Sequence, residues 1–274
     1  VIAASDIPHI VWGAWCAKRL KVPFIADLYD NFEGFGQARI PGMKHLLRQA
    51  VCQAQLVTTT SQPLAELVIH DYAAQAKVVS LPSTVDLTTF RSGNKSNARE
   101  RFGLLPNKQY IGTAGGLYKD KGVEVIYQAW EKLKHEMPNV HLVLAGPYQP
   151  DYPPPEEERV HYLGSLAHHE ISTLFQALDL GIISILDTPF GRYCFPQKAY
   201  EMLACDLPVV VANIGEMSYL FRDSPQVLFQ TGNANDLASK IQQQLQSPQQ
   251  QSIAVEDWAT IIQRIEPMIT ALKF

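Results

Sequence analysis

Two short segments of the chain combine residue types that bind phosphate and hydroxyl groups. In residues 112–122, Gly115, Gly116 and Lys121 stand between a β-branched run and an amphipathic stretch. Glycines at a strand-to-helix turn let the backbone approach a ligand closely, and a helix start offers free N–H groups and a positive dipole end. A lysine is unfavourable there unless an anion is present, so the segment predicts a phosphate site. The spacing matches neither a Walker loop nor the dinucleotide fingerprint, and a purely structural turn is the alternative.

The second segment, residues 189–210, carries a lysine and a glutamate at helical spacing. Pro196 is expected at the first position of a helix, where its missing N–H costs nothing. Lys198 and Glu201 then lie three residues apart on one face of that helix. They are candidate ligand-binding residues, and the alternative is a surface ion pair that contributes about 0.3 kcal/mol.

The elements that must position these residues alternate between short β-branched runs and amphipathic stretches. This alternation predicts an α/β fold with doubly wound, mostly parallel sheets, and the continuously apolar runs fit burial on both faces. The predicted strands cover residues 1–3, 24–28, 56–60, 77–81, 110–114, 141–145, 180–184, 207–211 and 226–229. The predicted helices include 9–21, 43–54, 61–72 and a last amphipathic one over 255–272, which Pro267 should bend. The glutamine runs at 242–244 and 249–251 are expected on the solvated surface.

Composition and charge exclude several classes of protein. Hydrophobic residues make up 46% of the 274 residues and charged residues 18%, which is typical of a folded chain and not of a disordered one. The net charge of −4 argues against a dedicated nucleic-acid binder, which needs a basic surface. The sequence has no apolar run of about 18 residues, the length that would predict a membrane span. We therefore expect a cytoplasmic protein, with peripheral contact to a membrane as an open alternative. The four cysteines are too scattered for a disulfide framework or a zinc site, and we expect buried, reduced thiols.

Six motifs follow one another in order between residues 110 and 216. They are Gly115-Gly116-Leu117, Lys121-Gly122, Pro138-Asn139-Val140-His141-Leu142-Val143-Leu144-Ala145-Gly146, Val160-His161-Tyr162-Leu163-Gly164, Ala177-Leu178-Asp179-Leu180 and Glu201-Met202-Leu203-Ala204-Cys205-Asp206-Leu207-Pro208-Val209-Val210. In this order and spacing they resemble the donor-binding half of a retaining glycosyltransferase with the GT-B fold, of the family four (group 1) type. Upstream, Leu81-Pro82-Ser83-Thr84-Val85-Asp86-Leu87-Thr88-Thr89-Phe90 resembles the family's interdomain segment P-N-G-V-D-x-x-x-F.

The resemblance implies two Rossmann-like domains and transfer of a sugar from a nucleoside diphosphate to an acceptor with retention of configuration. It implies that Lys121 and the Gly115-Gly116 turn hold the diphosphate and that Glu201 accepts hydrogen bonds from the ribose hydroxyls. A lysine beside a helix start suits the negative charge that develops on the leaving phosphate. Such folds usually work without a metal. No cofactor is expected, because the nucleoside diphosphate sugar is a substrate, and the acceptor is a saccharide, a lipid-linked or another small molecule.

One departure from the family pattern concerns the phosphate site. Members usually carry an arginine at the position of Gly116. The glycine therefore removes one cation from the phosphate site. Arg192 and Lys198 are the candidates to replace it. The backbone near Cys194 and Phe195 is also expected to face the phosphates.

Other departures concern the sugar and the helix end. Tyr193 stands where many members have a glutamate that contacts the donor sugar, although a branch with F-P-x-K-x-x-E lacks that glutamate as well. Tyr29 stands where a histidine often faces the donor sugar, and with Lys121 and Glu201 it is a candidate catalytic residue. Asp206 replaces the usual helix-ending glycine and is expected in left-handed backbone.

Near Tyr29, the residues Asp27, Asp30 and Glu33 form an acidic cluster after a predicted strand. Open α/β sheets place their ligands at such strand ends, so the cluster is a candidate acceptor contact or base. Turn caps and solvated charge are the alternative.

The expected domains are 1–90, a partial acceptor-side domain; 91–255, the donor domain; and 256–274, a helix that crosses back to the first domain. The polar stretch 91–97 is read as the linker between them. The chain begins with Val1 and lacks the strands that usually precede this point in the family, so we expect a chain without the front of its acceptor domain. The alternative functions are a non-catalytic GT-B subunit that binds a nucleotide sugar or a partner enzyme and, less favoured, a nucleotide-sugar epimerase.

Overall fold

Runs of valine, isoleucine and leucine form the strands of two sheets. Over residues 1–249, 251 and 253–272, which the computed structural model describes, one sheet has four strands, the other has six, and neighbouring strands are parallel throughout. Every residue of the strand Val140–Ala145 is buried, and all of its side chains except His141 are apolar, as burial on both faces requires. The predicted α/β fold with parallel sheets is confirmed.

The chain divides into two compact units. The first comprises residues 1–83, 189–195 and 256–272, and the second comprises 84–188 and the described residues of 196–255. The segment 189–195 therefore groups with the first unit, whereas the prediction had placed it with the second.

The four-stranded sheet of the first unit has the order β1-β2-β3-β4. Its strands are β1 (Ile2–Ala3), β2 (Ile25–Leu28), β3 (Leu56–Thr59) and β4 (Lys77–Ser80). Its first helices are α1 (Ile7–Leu20), α2 (Met43–Val51) and α3 (Gln62–His70).

The six-stranded sheet of the second unit has the order β10-β9-β8-β5-β6-β7. Its strands are β5 (Gln109–Ala114), β6 (Val140–Ala145), β7 (Val160–Tyr162), β8 (Leu180–Ile183), β9 (Val209–Ala212) and β10 (Leu228–Phe229). The remaining helices of the chain are α4 (Lys95–Arg101), α5 (Val123–Glu136), α6 (His168–Ala177), α7 (Pro189–Tyr193), α8 (Gln197–Ala204), α9 (Gly215–Leu220), α10 (Ala234–Gln246) and α11 (Trp258–Thr270). The strand order reverses between β5 and β8, and open α/β sheets bind ligands at the carboxyl ends of strands beside such a reversal.

Several local predictions were wrong. Helix α4 occupies part of the expected linker, because the Asn94 side chain accepts the N–H of Asn97 and caps a helix there. Pro196 is the N-cap of α8 and not its first helical residue. Asp206 has a φ of 55°, which confirms the expected left-handed conformation.

The last helix and the glutamine runs also differ from expectation. Helix α11 begins at Trp258, so residues 255–257 precede it, and its Trp258 and Ile262 are exposed while Ile261 and Ile265 are buried. Gln251 is buried, and its Oε1 accepts the N–H of Val209 at 3.2 Å. Gln250 and the last two positions of the predicted 256–274 segment lie outside the described residues.

The cysteines do not all lie in the core. Cys194 and Cys205 are buried, but Cys52 is exposed and Cys16 is partly exposed, so the expectation of four buried thiols was wrong. Cys52 directly follows α2 as its C-cap, and its thiol donates to the carbonyl of Tyr72 at 3.0 Å. No helix in the described part of the chain is long and apolar enough to cross a membrane.

An ion pair between the buried Arg99 and the partly buried Asp179 joins α4 to the amino ends of β5 and β8. The guanidinium of Arg99 is buried and donates to Asp179 Oδ2 at 2.6 Å and to two backbone carbonyls, those of Ala177 and Pro106. Asp179 also accepts the N–H of Tyr110 at 2.7 Å. The aspartate of the Ala-Leu-Asp-Leu motif therefore has a structural role, which the motif alone did not reveal.

Replacement of Asp179 by asparagine is expected to lower the free energy of unfolding by about 3 kcal/mol, because Arg99 is left as a buried charge without a counter-charge. Urea denaturation followed by circular dichroism measures the change. The matched control is Lys95→Gln, which removes a more exposed partner of the same carboxylate, 2.9 Å away, and should cost about 1 kcal/mol or less. Equal losses in the two variants would contradict the structural role of the Arg99–Asp179 pair.

Candidate functional site

The predicted phosphate-binding turn lies at the point where the strand order of the second unit reverses. Gly115 directly follows β5, and Ser184 directly follows β8, the strand paired with β5 at this reversal. Both residues are thus at the carboxyl edge of the sheet, where open α/β sheets place their ligands.

Two loops at this edge touch through their backbones. Gly115 has a φ of +112° and Gly146, after β6, a φ of +122°. A Cβ on Gly146 would stand 2.1 Å from the carbonyl oxygen of Gly115, a distance that no side chain tolerates. Glycine is therefore required at position 146, for its backbone conformation and for the close approach of the two loops.

Lys121 is held in a short turn before α5. Residues Lys119–Lys121 form one turn of 3₁₀ helix, and Gly122 follows with a φ of +71° before the helix begins at Val123. The buried hydroxyl of Ser184 donates to the carbonyl of Gly122 at 3.0 Å. Lys121 therefore lies in the turn that precedes the helix, whereas the sequence placed it at the helix start.

Gly116 is covered by an aromatic ring of the same loop. A Cβ on Gly116 would stand 2.5 Å from Cε2 of Tyr118, so the tyrosine ring occupies the space that a side chain at position 116 would enter. A side chain at position 116 would therefore require the Tyr118 ring to shift.

Lys198 reaches the same glycine turn from α8. Its Nζ lies 3.5 Å from the point where a Cβ on Gly115 would stand. An ammonium group therefore lies beside Gly115, although Gly116, the next residue in the chain, has no charged side chain.

Glu201 lies one helical turn after Lys198 and is partly buried. Burial raises the pKa of its carboxyl group above the usual range, and the opposing effects of His168 and Lys198 are smaller. The carboxylate is thus held where its ionised form is poorly solvated, which is the environment of a group that exchanges water for hydrogen bonds from a ligand.

Two tyrosines near this edge carried no functional prediction. Tyr148 and Tyr162 are partly exposed, their ring centroids are 5.6 Å apart in an edge-to-face contact, and the Tyr162 hydroxyl donates to Gly146 at 2.8 Å. The Gly146 N–H in turn donates to Gly164 at 2.7 Å. Residues 147–159 contain several prolines, a composition that indicates an exposed loop and no function, and the aromatic residues within and after this segment were the available signal.

The other predicted site residues belong to the first unit. The hydroxyl of Tyr29 donates to the carbonyl of Ser5 at 2.8 Å, and its ring packs edge-on against Phe32. Arg192, Cys194 and Phe195 lie in or just after α7, where the N–H of Cys194 donates to the carbonyl of Phe190 at 2.9 Å.

The acidic residues near Tyr29 all have protein partners. Asp27 accepts the hydroxyl hydrogen of Thr58 at 2.5 Å, and Asp30 accepts the N–H of the next residue at 2.7 Å. Glu33 pairs with Arg48 at 2.7 Å. Although burial opposes ionisation, hydrogen bonds from Arg48 and Tyr72 outweigh it and lower the pKa of Glu33. Asp27 thus bonds to the neighbouring strand, Asp30 caps a turn and Glu33 belongs to an ion pair, and their role as acceptor contact or base stays a prediction.

A search of the described residues for three or more His, Cys, Asp or Glu side chains able to hold a metal ion finds no such group. His168 and His169 are consecutive on α6, so their side chains point in different directions.

The family described as glycosyl transferases group 1 matches residues 108–247, just over half of the chain. The chain belongs to this family. The match covers the six-stranded sheet and both the Lys121 turn and the Glu201 helix.

Relatives and solved structures agree with the group 1 assignment. The chain is 27% identical to a D-inositol 3-phosphate glycosyltransferase of Mycobacterium marinum over 69% of this chain and 41% of that protein, and 27% identical to one of Stackebrandtia nassauensis over 83% and 52%. The chain thus spans about half the length of these curated relatives. Anabaena Alr3699/HepE in complex with UDP superposes with a TM-score of 0.81 at 22% identity, over 97% of this chain and 77% of that one. Sucrose-phosphate synthase of Thermosynechococcus elongatus superposes with a TM-score of 0.72 at 18% identity, over 94% and 70%. These likenesses establish the GT-B fold.

Replacement of Glu201 by glutamine is expected to raise the free energy of unfolding at pH 7. Because the pKa of Glu201 is higher in the folded than in the unfolded state, its ionised form opposes folding at neutral pH, and this cost disappears as the pH falls below the unfolded pKa. Denaturation of the unchanged protein and of Glu201→Gln at several pH values between 4 and 7 measures the difference in their free energies of unfolding. This difference should become smaller towards pH 4.

The matched control is Glu33→Gln, for which the sign is opposite. The lowered pKa of Glu33 means that its ionised form stabilises the fold above the unfolded pKa, and this contribution is lost as the pH falls through the folded pKa. Glu33→Gln should therefore lower the free energy of unfolding at pH 7. If Glu201→Gln instead lowers the free energy of unfolding at pH 7, the ionised carboxylate of Glu201 is well solvated in the folded protein.

Proposed function

We propose that the protein transfers a sugar from a nucleoside diphosphate to an acceptor, with retention of configuration at the sugar. In this proposal Lys121 and the Gly115-Gly116 turn bind the diphosphate and Glu201 binds the ribose. Membership of the group 1 glycosyltransferases and the GT-B fold support the reaction class.

The observation that carries the proposal is the position of Lys198 beside Gly115, at the edge of the sheet where the turn of Lys121 follows β5. Lys198 lies beside Gly115, and the turn that contains Lys121 is fixed by the hydrogen bond from Ser184. Cleavage of a sugar–diphosphate bond leaves negative charge on the diphosphate. Cations fixed beside exposed backbone N–H groups stabilise that charge without reorganising during the reaction.

Lys198 takes the role of the cation that Gly116 does not supply. The ring of Tyr118 fills the space at Gly116, while a lysine from another element reaches the same turn. The diphosphate thereby meets as many cations as in the family pattern, although one of them comes from position 198 and not from position 116. Arg192 remains a further candidate in this role.

Glu201 suits the ribose because a carboxylate accepts two hydrogen bonds from neighbouring hydroxyl groups. Its raised pKa supports this role, since ribose hydroxyls would supply the hydrogen bonds that the partly buried carboxylate lacks from water. The protonated form cannot accept as well, so ribose binding is expected to weaken at acid pH.

For the donor, we propose a uridine diphosphate sugar as the first to test, because HepE, which shares the fold, was solved with UDP, with UDP and glucose, and with UDP-glucose. The acceptor is proposed to be a saccharide, a lipid-linked or another small molecule. Tyr29 is proposed as a further catalytic residue, and the backbone near Cys194 and Phe195 is proposed to face the phosphates. No cofactor takes part, because the donor is a substrate.

Replacement of Lys121 by alanine is expected to weaken nucleoside diphosphate binding by about 1.5–3 kcal/mol, the usual contribution of hydrogen bonds to a charged group. Titration calorimetry with UDP, GDP and ADP measures it. The matched control is Lys119→Ala in the same turn, whose ammonium lies 5.7 Å from the ring centroid of Tyr152. Equal affinity in Lys121→Ala and in the unchanged protein would refute the assignment.

Glu201→Gln is expected to weaken binding of a ribonucleoside diphosphate more than binding of its 2′-deoxy analogue, because only the former loses a hydrogen bond from the 2′-hydroxyl. A coupling above about 0.5 kcal/mol between the substitution and the hydroxyl is expected only for groups in contact. If Lys198 and Glu201 form only a surface ion pair, the substitution changes neither the affinity for the ribonucleoside diphosphate nor the affinity for its 2′-deoxy analogue.

Release of the nucleoside diphosphate in the presence of an acceptor separates the proposed transferase from a non-catalytic subunit. A subunit of that kind would show the same binding and no release.

A further inference from the structure

Two histidines connect the outermost strand of the six-stranded sheet to its neighbour. His141 lies on β6 and His161 on β7, and the distance between His141 Nδ1 and His161 Nε2 is 2.9 Å. The two rings are nearly parallel, at 15°, and their centroids are 5.2 Å apart. Strand β7 has three residues and stands at the edge of the sheet beside β6. The histidine pair therefore adds a side-chain contact where the ladder itself offers few hydrogen bonds.

The hydrogen bond between the rings leaves no favourable place for an additional proton. One ring nitrogen must donate and the other must accept. His141 is 8% exposed, and in the described part of the chain its Nε2 is buried without a hydrogen-bond partner. An added proton must either place an N–H on this buried Nε2 or set two N–H groups against each other. Both states are unfavourable, because a buried N–H without an acceptor has lost its hydrogen bond to water and gained none.

The pair also packs against an aromatic ring that carries a cation on it. The ring centroid of Tyr110 lies 5.4 Å from that of His141 and 5.8 Å from that of His161. The guanidinium of Arg99 lies 5.0 Å from the same tyrosine centroid. A second positive charge on the histidines would thus be placed near an existing one.

The charges around the pair act mainly in the same direction. Burial, followed by the neighbouring His161, lowers the pKa of His141 to about 4. The cations of Lys108 and Arg159 contribute to this lowering, and the carboxylate of Glu158 acts against it. Burial also lowers the pKa of His161. Both rings are therefore neutral at pH 7 while β7 is attached.

Strand β7 leads directly into contacts with the loop after β6. The N–H of Leu163 donates to the carbonyl of Leu144 at 2.9 Å. The Tyr162 hydroxyl donates to the Gly146 carbonyl at 2.8 Å, and the Gly146 N–H donates to the Gly164 carbonyl at 2.7 Å. If β7 leaves the sheet, the loop that contains Gly146 loses both of these hydrogen bonds.

We infer that the His141–His161 pair is a proton-sensitive latch, which releases β7 from β6 and from the loop after β6 when either ring takes up a proton. Short edge strands open at a lower free energy than the whole domain, so the release is local. It is also independent of whether the neighbouring glycine turn binds a diphosphate.

The direction of the pH dependence follows from the difference between the attached and the released forms. In the released form both rings reach water and titrate as ordinary histidines, with a pKa of about 6.5. In the attached form protonation occurs only at lower pH. The attached form is therefore fully favoured above about pH 6.5, and this preference is lost progressively as the pH falls below that value.

Amide hydrogen exchange followed by NMR tests the latch. The readout is the protection factor, the intrinsic exchange rate of an amide divided by its observed rate at the same pH. Between pH 7 and pH 5 the protection factors of Leu163 and Gly146 should fall about twentyfold. This is the ratio for His141 alone when its pKa is about 4 with β7 attached and about 6.5 with β7 released.

The opposite edge of the same sheet provides the matched control amide. The N–H of Asn213 donates to the carbonyl of Phe229 at 2.8 Å, and β10 at that edge is as short as two residues. Neither β9 nor β10 contains a histidine. The protection factor of Asn213 should therefore change less than about twofold over the same pH range.

The double variant His141→Phe/His161→Gln removes both titrating rings and keeps an aromatic ring beside Tyr110. It should abolish the fall in protection between pH 7 and pH 5. The matched control variant is His135→Gln, at an exposed histidine of α5, which should keep the full effect. Circular dichroism verifies that both variants fold.

The comparison of the two sheet edges in the unchanged protein decides the question even if the double variant does not fold. Unchanged protection of Leu163 and Gly146 at pH 5 overturns the latch. An equal loss at Asn213 overturns it as well, because acid then destabilises the whole sheet. A loss that persists in the folded double variant shows that groups other than the two histidines take up the proton, and it also overturns the latch.

Discussion

The candidate site depends on one steric constraint, the contact between the backbones of two loops at the carboxyl edge of the six-stranded sheet. The Gly115 carbonyl lies where any side chain at position 146 would have to stand, so the loop after β6 can lie against the loop after β5 only while residue 146 is glycine. The Tyr162 hydroxyl and the Gly164 carbonyl then bind the backbone of Gly146 and join β7 to the same edge. Three strand ends are thereby joined at this edge.

The positive charge at this edge comes from elements that are far apart in the chain. Lys121 belongs to the turn after β5, and Lys198 belongs to a helix more than seventy residues later. Ser184 follows β8 and hydrogen-bonds the turn of Lys121, so it fixes that turn to the end of β8. In the proposed function, this arrangement explains how a chain with glycine at position 116 keeps two cations beside a diphosphate.

The sequence allowed the sheets to be predicted well because their strands are short, buried and rich in valine, isoleucine and leucine. The two-residue strand β1 and the three-residue strand β7 are harder, and β7 was recognised only as a motif. The choice of residues 91–97 as a linker failed because a polar stretch with an asparagine cap also begins a helix. Composition alone does not distinguish a linker from a capped helix start. The difference depends on the tertiary partners of Lys95 and Arg99.

The site was predictable to the extent that its residues are close in sequence. Gly115, Gly116 and Lys121 lie in one turn, and Lys198 and Glu201 in one helix, so their motifs are visible. The approach of Lys198 to Gly115, the ring of Tyr118 over Gly116 and the clamp from Ser184 depend on tertiary packing, which no local pattern encodes. For the same reason Asp179, which the family motif singled out, could not be recognised as the partner of a buried arginine.

The position of that buried pair has a consequence for how such a chain can change over evolutionary time. Arg99 and Asp179 hold the amino ends of β5 and β8, whereas the glycine turn and both lysines lie at the carboxyl ends of the strands. The residues that keep the sheet folded and the residues proposed to bind the diphosphate therefore occupy opposite edges and share few neighbours, so substitutions at one edge are expected to have nearly additive effects with those at the other. Loops at the carboxyl edge can then accumulate changes that alter ligand preference while the fold retains its margin of stability, and one scaffold can come to serve many different substrates.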